Sequence, residues 1–213
     1  MLIVAGYPRT GTSILFKCLE KSGFNGGTED DLKGHYYKSQ HIDFGDYSHQ
    51  LTIFASRMGI PFPLRARDLP TPMVLQMQKI GTEMEDQGIN LIKDPNGALA
   101  TQAWIDAVPT FKNPEFIMIE RDGLETAKSC IRLWHKLEMN KSATVRLIQH
   151  TYELHKELWE KTSRGYPKIT INHAEFFDNL ESVKKRVSKF IGREFDTSLI
   201  DPNKTYAASK EIY

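Results

Sequence analysis

Four short apolar runs constrain this chain more than any other feature. They are Leu2-Ile3-Val4-Ala5, Asn90-Leu91-Ile92-Lys93, Phe116-Ile117-Met118-Ile119 and Lys168-Ile169-Thr170-Ile171. A strand solvated on one face alternates polar and apolar residues, whereas a continuous apolar run suits a strand covered on both faces. Between the runs the spacing becomes helical. Ile14, Leu15, Cys18 and Leu19 recur one turn apart before Gly23, and Met73–Asp86 is a second helical stretch. A helix is expected over about 39–58, with Ile42, Leu51 and Phe54 apolar, and another follows the second run through Trp104 to Val108. Asp122-Gly-Leu-Glu125 is a capping box opening a helix after the third run. A long helix at about 143–161 carries Leu147, Thr151, Leu154 and Leu158 as its apolar stripe. A last helix, capped by Asp178-Asn-Leu-Glu181, turns Val183, Val187 and Phe190 inward and stops at Gly192. Strands alternating with helices dictate an α/β fold with a central parallel sheet of about four to five strands, flanked by helices.

The length of 213 residues suits one domain, placed at 1–192, with a loose C-terminal tail expected at 193–213. Hydrophobic residues are 40% and charged residues 26%, which excludes a disordered chain. The net charge of +1 gives no drive toward nucleic acid or membrane surfaces, so neither is expected as a partner. No stretch approaches the roughly 20 apolar residues of a membrane helix, and no signal peptide is visible, so a cytoplasmic protein is expected. Cys18 and Cys130 are expected as reduced, buried thiols. The seven histidines show no metal-ligand spacing, and no metal is expected. Trp104, Trp134 and Trp159 stand at helical core positions.

In open parallel sheets, ligands bind outside the carboxyl ends of the strands. Residues 6–13, 93–96, 120–123 and 172–175 occupy that edge. After the first run stands Gly6-Tyr-Pro-Arg9-Thr10-Gly11-Thr12-Ser13, with the spacing of a phosphate-binding loop and Thr12 at the position of its usual lysine. Backbone N–H groups of such a turn, leading into a helix N-terminus, make an anion cradle; an ordinary strand-to-helix turn has the same spacing. Lys93-Asp94-Pro95 follows the second run and Arg121-Asp122-Gly123 the third, with Ser129 eight residues past the arginine. A guanidinium at a helix start and a hydroxyl inside that helix grip one phosphate jointly. A solvated strand end and a surface ion pair of Arg121 with Asp122 or Glu125 are the plainer readings.

These segments resemble the sulfotransferases that use 3′-phosphoadenosine 5′-phosphosulfate (PAPS). Tyr7–Ser13 is similar to their 5′-phosphosulfate loop, and Ile119–Ser129 to their 3′-phosphate motif. Leu91–Pro95 resembles the Lys-Asp-Pro segment of tyrosylprotein and small bacterial sulfotransferases. Lys33–Tyr37 resembles a loop of the bacterial proteins, and Ile169–Glu175 the last strand and its acidic turn. The likeness runs over about residues 2–192. Two departures stand out. The cytosolic hormone and phenol enzymes carry a histidine where this chain has Pro95, and close the cofactor with a Gly-rich loop that 202–213 lacks.

The resemblance implies a three-layer P-loop, kinase-like fold and transfer of a sulfuryl group from PAPS to a hydroxyl or amine, leaving PAP. Arg9 and Lys93 would stabilise the transferring group, Thr10, Gly11, Thr12 and Ser13 would hold the 5′-phosphate, and Arg121 and Ser129 the 3′-phosphate. In tyrosylprotein sulfotransferases a glutamate after the first helix is the base. Ungapped counting from Arg9 lands on Asp30, so Glu29 and Asp30 are the candidates, then Asp94, then His35 or His41. The acceptor is a small molecule, carbohydrate or peptide. Two other readings are a P-loop kinase of a nucleoside or small metabolite, which the missing lysine disfavours, and a noncatalytic anion-binding member of the fold.

Overall fold

The computed structural model describes residues 1–27, 42–93, 97–136 and 142–201. Its strands are β1 (Leu2–Ala5), β2 (Leu91–Lys93), β3 (Glu115–Glu120) and β4 (Lys168–Asn172). They form one sheet in the order β2-β1-β3-β4, all pairs parallel. Leu2 lies opposite Leu91 on one side and Glu115 on the other, so β1 is central and the three strand ends lie side by side. The chain leaves β1 toward β2 and then returns past it to β3. That reversal opens the crevice where ligands bind in such sheets.

The apolar runs are continuous because each face meets a different core. Ile3, Ala5, Ile92, Phe116 and Met118 point into one cluster with Trp104, Phe44 and Trp159. Leu2, Val4, Leu91, Ile117 and Ile119 point into the other with Leu15, Phe16 and Val187. Alternate residues thus face opposite layers, and the fold has three layers. Helices α2 (Ile42–Met58), α3 (Thr71–Asp86), α4 (Gly97–Ala107) and α6 (Val145–Thr162) supply buried residues to the first cluster. Helices α1 (Thr12–Lys21), α7 (Glu175–Asp178) and α8 (Leu180–Ile191) supply the second. Helix α5 (Gly123–Lys136) joins α6 in a smaller cluster around Tyr7.

Asp122 caps α5 as expected, accepting from the Glu125 N–H at 2.9 Å, while the Glu125 carboxylate that would complete the box accepts from Lys128 at 3.1 Å. Val183 and Val187 are buried, Phe190 is half-buried, and Gly192 ends α8 in the left-handed region at φ 69°. Trp104 and Trp159 are buried and Trp134 is half-buried. Cys18 and Cys130 are free, buried thiols, pushed up to about 12 and about 11, first of all by burial.

Three expectations are corrected. Asp178 does not cap the last helix: it ends α7, and the N-cap of α8 is Asn179, with no side-chain bond. The inward face of α6 is not the leucine stripe: Leu147 is 55% and Leu154 45% exposed, while Ile148, Tyr152, His155 and Trp159 are buried. The buried set fits because its aromatic rings meet Tyr7 and Phe116 edge-on. The tail from 193 is not loose over its described residues 193–201. Phe195 is fully buried and Ile200 nearly so. The Phe195 N–H donates to Ser188 Oγ at 2.9 Å, and the Asp196 N–H to Ser22 Oγ at 2.8 Å. Among the described residues no helix is long and apolar enough to cross a membrane.

Two stability predictions follow from this packing. Phe195→Ala empties a fully buried site and should cost about 3–5 kcal/mol of unfolding free energy, read by urea titration; a loss under 1 kcal/mol would mean the tail does not hold the second core. His155 and His173 are buried and both lowered to about 4, by burial and, for His173, also by the Arg121 charge. The native state resists protonating them, whereas the unfolded chain takes the protons up below about 6.5. Stability should therefore be full above pH 6.5 and fall as pH drops toward 4, on the order of 2–3 kcal/mol per histidine when complete. Denaturation at pH 7, 6 and 5 reads the slope before most carboxylates titrate, and His155→Gln should flatten it.

Candidate active site

The loop after β1 begins with a tight turn. The Thr10 N–H and Oγ both donate to the Tyr7 carbonyl, at 3.2 and 2.7 Å. Pro8 and Arg9 fill the two central positions, and Arg9 has φ 73°. A φ of this sign at the third residue of a Pro-containing turn is ordinarily given to glycine. Holding an arginine there costs on the order of 1–3 kcal/mol, a strain that marks functional sites. Arg9 is thus placed for its side chain, since glycine would make the turn more cheaply.

The glycines close the loop down. A Cβ on Gly6 would lie 2.8 Å from Thr10 Oγ1 and 2.9 Å from the Ile119 carbonyl oxygen. Gly11 has φ 104°, and a Cβ there would lie 2.7 Å from the His173 ring. Gly11 is also the N-cap of α1 and supplies no side-chain cap, and the first turn holds no acidic residue. The first intrahelical bond from the loop side is the Leu15 N–H to the Gly11 carbonyl at 3.2 Å. The amides of Thr12, Ser13 and Ile14 therefore precede the helix's own ladder, which is the arrangement that receives an anion.

The side chains that sequence reading selected meet around this loop. Arg9 Nε donates to Ser129 Oγ at 3.2 Å, joining the β1 loop to α5 across 120 residues. Arg121 Nη1 donates to the Arg9 carbonyl at 3.1 Å, so the β3 end clasps the strained turn. Lys93, only 3% exposed at the end of β2, directs Nζ to Ser13 Oγ at 3.1 Å. Thr12 and Ser129 are buried, while Arg9 and Arg121 are half-buried. Thr10 differs from expectation in one respect: its amide and hydroxyl go to Tyr7, so it shapes the loop. Asp122 is engaged in capping α5 and Glu125 pairs with Lys128 at 3.1 Å, so both carboxylates have partners on their own helix. Glu29, Asp30, Asp94, Pro95, His35 and His41 lie outside the described residues.

Three further residues belong to the site. His173, just past β4, donates its N–H to the Glu120 carbonyl at 2.7 Å and lays its ring against Gly11. It is neutral at pH 7, because burial and the Arg121 charge hold its pKa near 4. Its position within 172–175 was the only signal for it. Cys130 Sγ lies 3.6 Å from the Pro8 carbonyl, a weak S–H donor supporting the turn beside Ser129. Tyr152 donates its hydroxyl to the Arg121 carbonyl at 2.8 Å. Nothing in the local spacing of Cys130 or Tyr152 points to these partners. Among the described residues no group of three His, Cys, Asp or Glu side chains forms a metal cluster.

No family model matches the chain, and no curated protein matches it in sequence. Solved structures do. The sulfotransferase domain from the curacin biosynthetic pathway superposes with a TM-score of 0.58 at 16% identity, covering 98% of this chain and 82% of that one. The sulfotransferase domain of the Synechococcus PCC 7002 olefin synthase gives 0.55 at 15% identity, covering 99% and 79%. Sulfotransferase STF9 from Mycobacterium avium gives 0.53 at 14% identity, covering 99% and 68%. Identities this low speak to architecture. Over nearly its whole length, the chain has the P-loop sulfotransferase fold.

Proposed function

We propose that this protein is a sulfotransferase that moves a sulfuryl group from PAPS to a hydroxyl or amine of a small-molecule, carbohydrate or peptide acceptor. One observation carries the reading. Two phosphate-binding arrangements, the amide-rich start of α1 and the Arg121–Ser129 pair, are fastened to each other through Arg9. A ligand with phosphates at two separate positions fits that pairing, as an adenosine 3′,5′-bisphosphate does. A nucleoside triphosphate concentrates its charge in one chain and ordinarily needs the loop lysine, which is Thr12 here.

In this reading the amides of Thr12 and Ser13 and their hydroxyls bind the 5′-phosphate, and Arg121 with Ser129 binds the 3′-phosphate. The acceptor oxygen attacks sulfur in line, the bond from sulfur to the bridging phosphate oxygen breaks, and PAP leaves with the electron pair. The acceptor proton passes to a base, which we assign to the acidic segment containing Glu29 and Asp30, with Asp94 as the second choice. Negative charge grows on the bridging oxygen as that bond breaks. Arg9 and Lys93 are the fixed cations for it, and contacts that strengthen with this charge accelerate the step. Both now rest on serine hydroxyls, Ser129 and Ser13. The serines keep them extended at the strand ends, so little reorganisation is needed when PAPS enters. No step uses a metal.

Two measurements test the reading. PAP should bind without magnesium and more tightly than AMP in calorimetry. Arg121→Ala should erase most of that preference, a loss of roughly 1.5–3 kcal/mol for a charge-assisted contact; an unchanged ratio would remove the 3′-phosphate assignment. Lys93→Met should leave PAP affinity within a few-fold and lower turnover about a hundredfold or more, as loss of an oxyanion donor does. Equal losses in affinity and turnover would make Lys93 a ground-state ligand.

A further inference from the structure

Arg121 stands one residue beyond β3, where the sheet ladder no longer fixes the backbone, and one residue before Asp122 begins to cap α5. A side chain from α6 holds its backbone. The Tyr152 hydroxyl donates to the Arg121 carbonyl at 2.8 Å and accepts from the Arg121 N–H at 3.4 Å, so one oxygen serves both backbone groups of the same residue. Tyr152 is 5% exposed, and burial raises its phenol, which therefore stays protonated as the donor near neutral pH. The same ring meets Tyr7 edge-to-face, with centroids 5.6 Å apart and planes at 90°. Tyr7 is buried, held from its other neighbour His155 by a second edge contact at 5.1 Å, and its carbonyl receives both Thr10 donors that make the turn. Tyr152 thus touches the β1 loop with its ring and the β3 end with its hydroxyl.

We propose that Tyr152 is a positioning residue that acts through Arg121, fixing the spacing between the two phosphate sites and so governing selection of a 3′,5′-bisphosphate over a 5′-monophosphate. The proposal rests on the function assigned above. Its physical basis is leverage. A small rotation of the Arg121 backbone is carried to the end of a long side chain, whose Nη1 now reaches the Arg9 carbonyl. The amides assigned to the 5′-phosphate begin α1, beyond the Arg9 turn, and the Tyr152 ring that packs on Tyr7 is kept, so loss of the hydroxyl alone moves the Arg121 side chain more than the 5′ site.

Tyr152→Phe removes the hydroxyl and keeps the ring against Tyr7. Calorimetry with PAP and with AMP should show PAP affinity about three- to tenfold weaker, the scale of one lost hydrogen bond, with AMP affinity within twofold of wild type. A purely structural role would lower the melting temperature and leave the PAP-to-AMP ratio alone. In an Arg121→Ala background, Tyr152→Phe should have no further effect on PAP, because the two act as one unit. Additive losses, or an unchanged ratio in the single variant, overturn the proposal while the function stands. A wild-type protein that binds PAP and AMP equally removes both. Should the phenylalanine variant fail to fold, 4-fluorophenylalanine at position 152 keeps the ring, fills the space of the hydroxyl without donating, and carries the same expectation for the ratio.

Discussion

The site depends on a turn that resists being made. Arg9 sits at φ 73°, a conformation that an L side chain opposes, and local sequence does nothing to relieve it. Thr10 closes the turn locally onto Tyr7, and contacts from distant segments hold it in place: Arg121 takes the Arg9 carbonyl, Ser129 takes the guanidinium, and Cys130 supports Pro8. These distant partners come from the β3 end and α5, so the turn gains them only when the sheet has assembled with β1 beside β3. Stability and function are linked at this point. The loop's strain of a few kcal/mol is comparable with a good fraction of a domain's net stability, and tertiary contacts must offset it.

The sheet order makes that assembly possible. With β1 in the centre, the ends of β2 and β3 flank its loop at the roughly 4.8 Å spacing of neighbouring strands. Lys93 approaches from one side and Arg121 from the other. In the reading we propose, these two cations, Arg9 and the amides at the start of α1 together suit a strongly anionic ligand.

Much of this was legible in the sequence, for a physical reason. The strands were readable because burial on both faces removes the polar alternation, leaving runs such as Leu2–Ala5 and Phe116–Ile119. Arg9, Lys93, Arg121 and Ser129 were readable because parallel topology sends each strand end to one edge. The stripe of α6 was not, because the reading ranked leucine as the inward residue. The inner face instead carries Tyr152 and His155, whose rings meet Tyr7 edge-on, and Trp159, which meets Phe116. Phe195 was also illegible. It has no periodic neighbours, and its anchors, Ser188 on α8 and Ser22 at the end of α1, are defined only by the folded chain. His173 shows the same limit. Its role comes from contact with Gly11, far away in sequence and brought beside it only by the folded chain.

His173 also bears on why the absent loop lysine at Thr12 is tolerable. A loop that binds an anion needs positive potential, and here nearly all of it comes from fixed elements outside the loop's last turn. Burial keeps the imidazole of His173 uncharged, so it fills space against Gly11 without adding a cation. Thr12 likewise fills space, its methyl lying where a Gly6 side chain would go. The part of the cradle against His173 and Gly6 is therefore neutral and tightly packed, and the cations beside it are Arg9 in the loop, Lys93 at the end of β2 and Arg121 past β3. A terminal triphosphate ordinarily takes its cation from the loop lysine itself. In the reading we propose, cations on neighbouring strand ends take that place and face the leaving oxygen of a sulfuryl group, which carries less charge than a phosphoryl group.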